Sequence, residues 1–432
     1  MKTSENTKAG TLDPSFGDNG MVIVDFPNPN PRYIRDVMIL GTGPDAKIYF
    51  AGETIPFSSS DGYFVGRRNY NGTPDTTFGY KGLISGKFPG YPNISVKSFA
   101  IQADGKIVLQ GYHVNALITT TLFARFEPDG TLDVAFGTNG YTWVTFARQT
   151  APEAPIDDKK PQHTASNGSL SSIEILPDGK ILACNQNSWI IRLTPEGILD
   201  ETFNKNGFVR VVHPDYSADS MRLFRVQRQN SGKYVGCGVI IGTHNQPYFV
   251  RLDDTGTIDN SFGPSANGFV VIKGPIDTPV YIDTIAKQPN QRILGVGATY
   301  TFPNEIGVMT SIEPDGTPNI QFNRGEPLFT KFEDWNATFW MGAAVQKDGK
   351  IVVSGGVGHA RKGEEGYEVV VARYINADLD TSFGDGGWST TALPTTSRGG
   401  YATSMALQDD GKIVVATTVM ELDKGIILRY LS

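Results

Sequence analysis

The chain has 432 residues, 19% of them charged, and a net charge of -7 at neutral pH. This balance contains no Lys/Arg block that could neutralise a phosphate backbone, so nucleic acid is not an expected partner. No apolar run approaches the roughly 18 residues of a membrane span, and the first ten residues, MKTSENTKAG, lack the charged, apolar and cleavage regions of a signal peptide. A cytoplasmic location is therefore expected unless a signal-independent route exports the chain.

Residues 10–20, GTLDPSFGDNG, are the first copy of a pattern that recurs seven times, marked by Phe16, Phe78, Phe136, Phe203, Phe262, Phe322 and Phe383. The mean interval is about 61 residues. A period of this length denotes one supersecondary unit repeated, and it overrides the prior of about three domains that length alone suggests. The expected organisation is a tail over residues 1–9 and one domain over 10–432, with repeats starting near 10, 72, 130, 197, 256, 316 and 377.

Within a repeat, the LDxxFG turn leads into a short strand a, as in residues 20–26 (GMVIVDF), 140–146 (GYTWVTF) and 207–212 (GFVRVV). Strand b follows a variable gap, for example at 97–102 (KSFAIQ) and 172–176 (SIEIL). It runs into Asp-Gly at 104–105, 178–179, 348–349 and 410–411, a strong hairpin signal. The turns at 44–47, 230–233 and 289–292 keep turn-forming residues without the Asp-Gly pair. Strand c, as in KIVL at 106–109 and KIVV at 350–353 and 412–415, is rich in β-branched residues. Strand d precedes an arginine, as in LFAR at 122–125 and VVAR at 370–373. With 49 glycines, 26 prolines and no sustained 3.6-residue period, four short strands per unit predict an all-β, seven-bladed β-propeller of four antiparallel strands per blade with negligible helix. The structural rival is an open β-solenoid. An open array needs atypical caps, whereas this chain ends on a strand d without its LDxxFG and begins on an LDxxFG without its strand d. Pairing of the two ends would close the ring.

Two side-chain patterns bear on that closure. Each marker phenylalanine sits in a polar turn, where it would be costly unless buried between blades. An arginine also precedes the turn aspartate by eight residues in Arg67/Asp75, Arg125/Asp133, Arg192/Asp200 and Arg251/Asp259, and by seven in Arg373/Asp380. In the sixth repeat both are lost, to Ser311 and Asn319. Joint loss is expected of a charge-assisted pair, and the leftover Arg429 and Asp13 would then clasp the chain ends. Cys184 and Cys237 occupy equivalent, mostly small positions of strand c and are read as buried fillers rather than a disulfide.

The GTLDxxFGxxG, DGKIVV and VARYxxDG elements resemble the delta-60 repeat family of bacterial proteins, uncharacterised β-propeller repeats of about this length. The resemblance covers residues 10–432 and implies fold; the family supplies no general catalytic or ligand-binding residues.

Antiparallel alternation puts the a–b and c–d loops on one face and the b–c turns and d–a connectors on the other. The connectors are nearly uniform, while the loops range from residues 185–188 to the insertion at 147–169. Variable loops are where function concentrates. His113, His244 and His359 are expected in c–d loops, and His163 and His213 in or beside a–b loops. Aromatics expected there are Tyr91, Tyr112, Trp189, Tyr216, Tyr300, Trp335 and Tyr367. The candidate binding residues are Tyr112, His113, Trp189, His244, Tyr300, Trp335 and His359, weighed against simple packing or solvent exposure. No histidine pair has metal-ligand spacing, one turn aspartate per blade is too dispersed for a calcium cage, and the glycine-rich stretch 355–366 lacks a Walker lysine and reads as a c–d hairpin. No cofactor is expected, and GxSxG, HExxH and CxxC are absent. The first reading is a noncatalytic scaffold presenting variable loops to a protein or glycan. The alternatives are a hydrolase or lyase acting on an extended polymer at the same face, and a lectin.

Overall fold

The computed structural model describes residues 8–26, 32–54, 62–92, 94–115, 118–147, 172–242, 245–274, 278–299, 304–359, 366–394, 399–419 and 425–432. They form seven antiparallel sheets of four principal strands each, and four one-turn 3₁₀ segments are the only helical structure among them. In every blade the order from the axis outwards is b, c, d, a. The first blade is Arg32–Leu40, Lys47–Thr54, Tyr63–Asn69 and Leu83–Gly86. The sixth adds a short arm, Asp378–Leu379, to the d strand.

The sequence repeat and the blade are out of phase by one strand. Strand a of each repeat is the outer strand of the preceding blade, so the last blade takes Gly400–Leu407, Ile413–Val419 and Gly425–Tyr430 from the C-terminus and Met21–Val24 from the N-terminus. The two ends pair antiparallel, Met21 opposite Leu428 and Val24 opposite Gly425. Successive inner strands touch around the whole ring, the last against the first.

Each blade is sandwiched between two others, which is why the middle strands are continuous apolar runs without alternation. Tyr234–Ile240 is buried at every position. An outer strand such as Tyr141–Ala147 alternates, because only one of its faces is covered. The core is thus a ring of inter-blade layers: Phe50 and Phe64 of the first blade pack with Val414, Ala416 and Ile427 of the last. All seven marker phenylalanines are 0–2% exposed. The glycine of the next connector leaves room for the ring: a Cβ on Gly197 (φ +84°) would lie 2.5 Å from Phe136. Cys184 and Cys237 are buried and free.

Strand b is longer than expected. It begins near the variable-loop face and carries a β-bulge in six blades, as between Ile34 and Asp36 and between Trp340 and Gly342. The bulge pushes a carbonyl towards strand c, and a glycine there makes room. A Cβ on Gly52 would sit 1.8 Å from the Tyr33 oxygen, and one on Gly355 1.8 Å from that of Phe339. This corrects the reading of 355–366 as a loop: Ile351–His359 is strand, its glycines required by the bulge and by the Phe339 ring.

Candidate functional site at the variable-loop face

The uniform face is occupied by structural staples. In six blades the d-strand arginine pairs with the turn aspartate, Nε lying 2.6–2.9 Å from Oδ2 and donating to it in five of them, Arg67 with Asp75 being an ion pair alone; each guanidinium lies 4.5–4.8 Å over the marker phenylalanine. Nη1 reaches a carbonyl of the next connector: Arg67 to Pro128 at 2.6 Å, Arg192 to Asp254 at 2.5 Å, and likewise Arg125 to Pro195, Arg251 to Pro314 and Arg429 to Tyr70. In these same six blades the lysine after the b–c turn adds a second cation, Lys412 lying 3.4 Å from Asp13 and Lys106 2.8 Å from Asp133. Arg429, fully buried, holds Asp13 at 2.9 Å.

Burial pushes these carboxyls up. The hydroxyl and amide two residues on, with the neighbouring cations, outweigh it and bring Asp75, Asp200 and Asp380 down to about 2. In the fifth blade Asn319 Nδ2 donates to Ser311 Oγ at 2.9 Å, a neutral replacement. The connector it faces, Ile375 to Asp378, is a tight hairpin rather than the longer turn of the other blades. Loss of the arginine and shortening of the connector it would grip fall at the same junction.

The variable-loop face differs. Strand b enters the sheet there, and its residue before the bulge is Tyr33, Tyr281, Phe339 and Tyr401 in four blades. Phe339, Tyr367 and Tyr401 form three mutually edge-on rings with centroids 5.3–6.0 Å apart. Burial raises the hydroxyl pKa of Tyr367 and Tyr401, so both are neutral donors. Beside them Arg35, at the bulge, lies 4.7 Å from the Tyr33 ring and donates to Glu53 Oε1 at 3.0 Å from Nε and 2.5 Å from Nη2. Glu53 Oε2 accepts the Val96 amide of the next blade. The result is an aromatic rim around a neutralised, buried ion pair.

The sequence candidates are dispersed over this face. Tyr112 and His113 lie within strand c, Ile107–Val114, and His359 ends the strand Ile351–His359, so these are strand rather than loop positions. The bulged b strands carry their partners further towards the rim than turn chemistry indicates. Lys97 Nζ sits 4.6 Å over the Tyr112 ring, and Tyr91 lies 5.7 Å from His113. Trp189 opens strand d of the third blade, stacked on Phe146 at 4.3 Å and edge-on to Phe208 at 5.5 Å. Trp335 opens an inner strand opposite His359. His213 packs between Tyr216 and Phe269 at 4.9 and 4.7 Å, and its Nδ1 accepts the Asp215 amide. His163, His244 and Tyr300 lie outside the described residues. Among the described residues, no group of three or more His, Cys, Asp or Glu side chains is placed to hold a metal ion, and no helix is long and apolar enough to cross a membrane. Aligning the seven b strands, rather than searching the loops, would have exposed the aromatic rim.

Residues 102–136 match the model of a domain of unknown function (DUF5122) described as a β-propeller, which supports a propeller repeat family for this chain. No curated protein matches the sequence. Similar solved structures include the WD40 β-propeller domain of Doa1, 8% identical over 94% of this chain and 97% of that one, with a TM-score of 0.49. Domains 1–2 of Drosophila Semaphorin 1b are 10% identical over 98% and 87%, at 0.42. The α-L-arabinofuranosidase Arb93A of Fusarium graminearum is 10% identical over 100% and 98%, at 0.40. Similarity at this level carries no argument about activity; the fold rests on the chain's own sheets.

Proposed function

We propose that this propeller is a noncatalytic interaction scaffold that binds a protein or glycan partner across its variable-loop face, with the Phe339–Tyr367–Tyr401 rim as its anchor. The observation that carries the reading is the segregation of the two faces. The turn carboxylates shifted to about 2 are committed to staples on the uniform face, whereas the variable face offers half-buried rings with polar tips, suited to a desolvated contact. The same reading assigns the repeats to the bacterial delta-60 type, on the GTLDxxFGxxG, DGKIVV and VARY elements. A glycan array and a crosslinking pull-down, run on the natural protein and on Tyr367→Ala/Tyr401→Ala, test it. Retention of a discrete partner by the former and at least tenfold weaker retention by a folded double variant are expected. Hydrolysis or elimination of a bound polymer by the natural protein would refute it.

A further inference from the structure

A tyrosine hydroxyl taken out of water normally finds a partner inside the protein. Elsewhere in this ring it does. Tyr63 meets Tyr141 at 3.2 Å, Tyr374 meets Thr330 at 3.1 Å, Tyr430 meets Thr391 at 2.7 Å, and Tyr248 donates to the Arg222 carbonyl at 3.1 Å. In the fifth blade Tyr281, the residue before the bulge, is bonded by Asn245. The three tyrosines of the rim depart from this pattern. The hydroxyls of Tyr33, Tyr367 and Tyr401 have no hydrogen-bond partner among the described residues, although burial acts on all three. Their residues are half-buried, and none of the three oxygens is sealed from solvent.

These hydroxyls come from the first, sixth and seventh blades, which are consecutive across the seam of the ring. Tyr401 is within electrostatic reach of Tyr33 and of Tyr367, and the Phe339 ring packs edge-on against Tyr367 and Tyr401. Polar tips and apolar ring surface therefore share one short stretch of the rim. The charges around it are largely committed. Glu53 takes two donors from Arg35 and cancels its charge. Asp36 has its oxygens on the Ser98 and Ser404 hydroxyls and the Val37 amide, and Glu368 bears on Tyr430. Glu305, 3% exposed, bears on Tyr367 and would repel an anionic group placed on that hydroxyl.

We infer that the rim binds a neutral glycan, with its C–H faces laid on Phe339 and the tyrosine rings and its hydroxyls paired with those of Tyr33, Tyr367 and Tyr401. This rests on the scaffold reading and names the class of partner at its anchor. A phenol hydroxyl both donates and accepts, as a sugar hydroxyl does, so adjacent phenol tips match adjacent sugar hydroxyls in either sense. Peptide groups do not offer this, since each backbone N–H only donates and each C=O only accepts. A protein hot spot on the same rings would draw on buried ring area and would tolerate loss of the hydroxyls.

The test is a neutral-glycan array followed by calorimetry on the glycans retained, with oligogalacturonate as the acidic probe. It is run on the natural protein, on Tyr33→Phe/Tyr367→Phe/Tyr401→Phe, which keeps every ring, and on Tyr374→Phe, whose lost hydroxyl bonds Thr330. The rim hydroxyls bond nothing within the protein, so the triple variant should keep the natural thermal midpoint and bind at least about tenfold more weakly. Tyr374→Phe should bind as the natural protein does. Retention of no neutral glycan, equal or tighter binding of oligogalacturonate, or unchanged affinity in the triple variant would overturn the assignment. A protein captured by the natural chain, lost in Tyr367→Ala/Tyr401→Ala and kept by the triple phenylalanine variant, would overturn the glycan and leave the scaffold reading standing. A rim that holds neither glycan nor protein would end both.

Discussion

Replacing Arg429 with Met should open the ring at its seam. The guanidinium is fully buried, donates to Asp13 and to the Tyr70 carbonyl, reaches Ser15 Oγ at 3.1 Å, and stacks 4.5 Å over Phe16 and 4.6 Å over Tyr70. Removing it leaves Asp13, 3% exposed, as a buried carboxylate. Breaking such a pair from one side costs about 3–5 kcal/mol. Lys412, 3.4 Å from the same oxygen, blunts the loss, so the lower end, about 3 kcal/mol, is expected. The internal control is Arg192→Met, which removes an equivalent staple where strand and turn remain covalently joined. Urea unfolding should show similar losses for both. Hydrogen exchange should separate them: the amides of Met21–Val24 should lose protection in Arg429→Met, because only noncovalent pairing returns that strand, while those of Phe208–Arg210 should stay protected in Arg192→Met. A double-mutant cycle of Arg429→Met with Asp13→Ala giving no coupling, or unchanged protection of Met21–Val24, would refute the argument.

Phe203→Ala, which empties a fully buried site between blades, should cost about 3–5 kcal/mol in urea unfolding. Acid should unfold the ring. Asp75, Asp200 and Asp380 titrate at about 2 when folded against an ordinary 3.8, so each contributes roughly 2 kcal/mol above pH 4 that is lost as pH falls from 4 towards 2, measurable by circular dichroism. Gly52→Ala should destabilise by about 1–3 kcal/mol, since its Cβ would collide with the Tyr33 carbonyl at the bulge. Ser311→Arg and Asn319→Asp should each destabilise the fifth blade, and the double variant should recover at least part of the loss, a coupling of about 1–3 kcal/mol read from a thermal-unfolding cycle.

How far the sequence reaches depends on how local each cause is. The LDxxFG turn, the Asp-Gly hairpins and the β-branched c strands depend on neighbours within a few residues, and their recurrence made blade number and strand count legible. The paired loss of Arg and Asp at Ser311 and Asn319 was visible for the same reason, since both lie on one short segment. The bulged b strands were not, although Gly52, Gly111, Gly238, Gly297 and Gly355 mark the facing strand; a glycine's role there depends on a carbonyl 16 to 19 residues away. Misplacing His113 and His359 in loops follows from that omission. Tertiary structure alone decided which blade each strand joins, because strand a pairs outwards with the preceding sheet rather than with the strands that follow it. It also brought Tyr33, Phe339 and Tyr401 to one rim. Residues separated by hundreds of positions meet there only because seven twisted sheets close on themselves and their inner edges converge on a common axis.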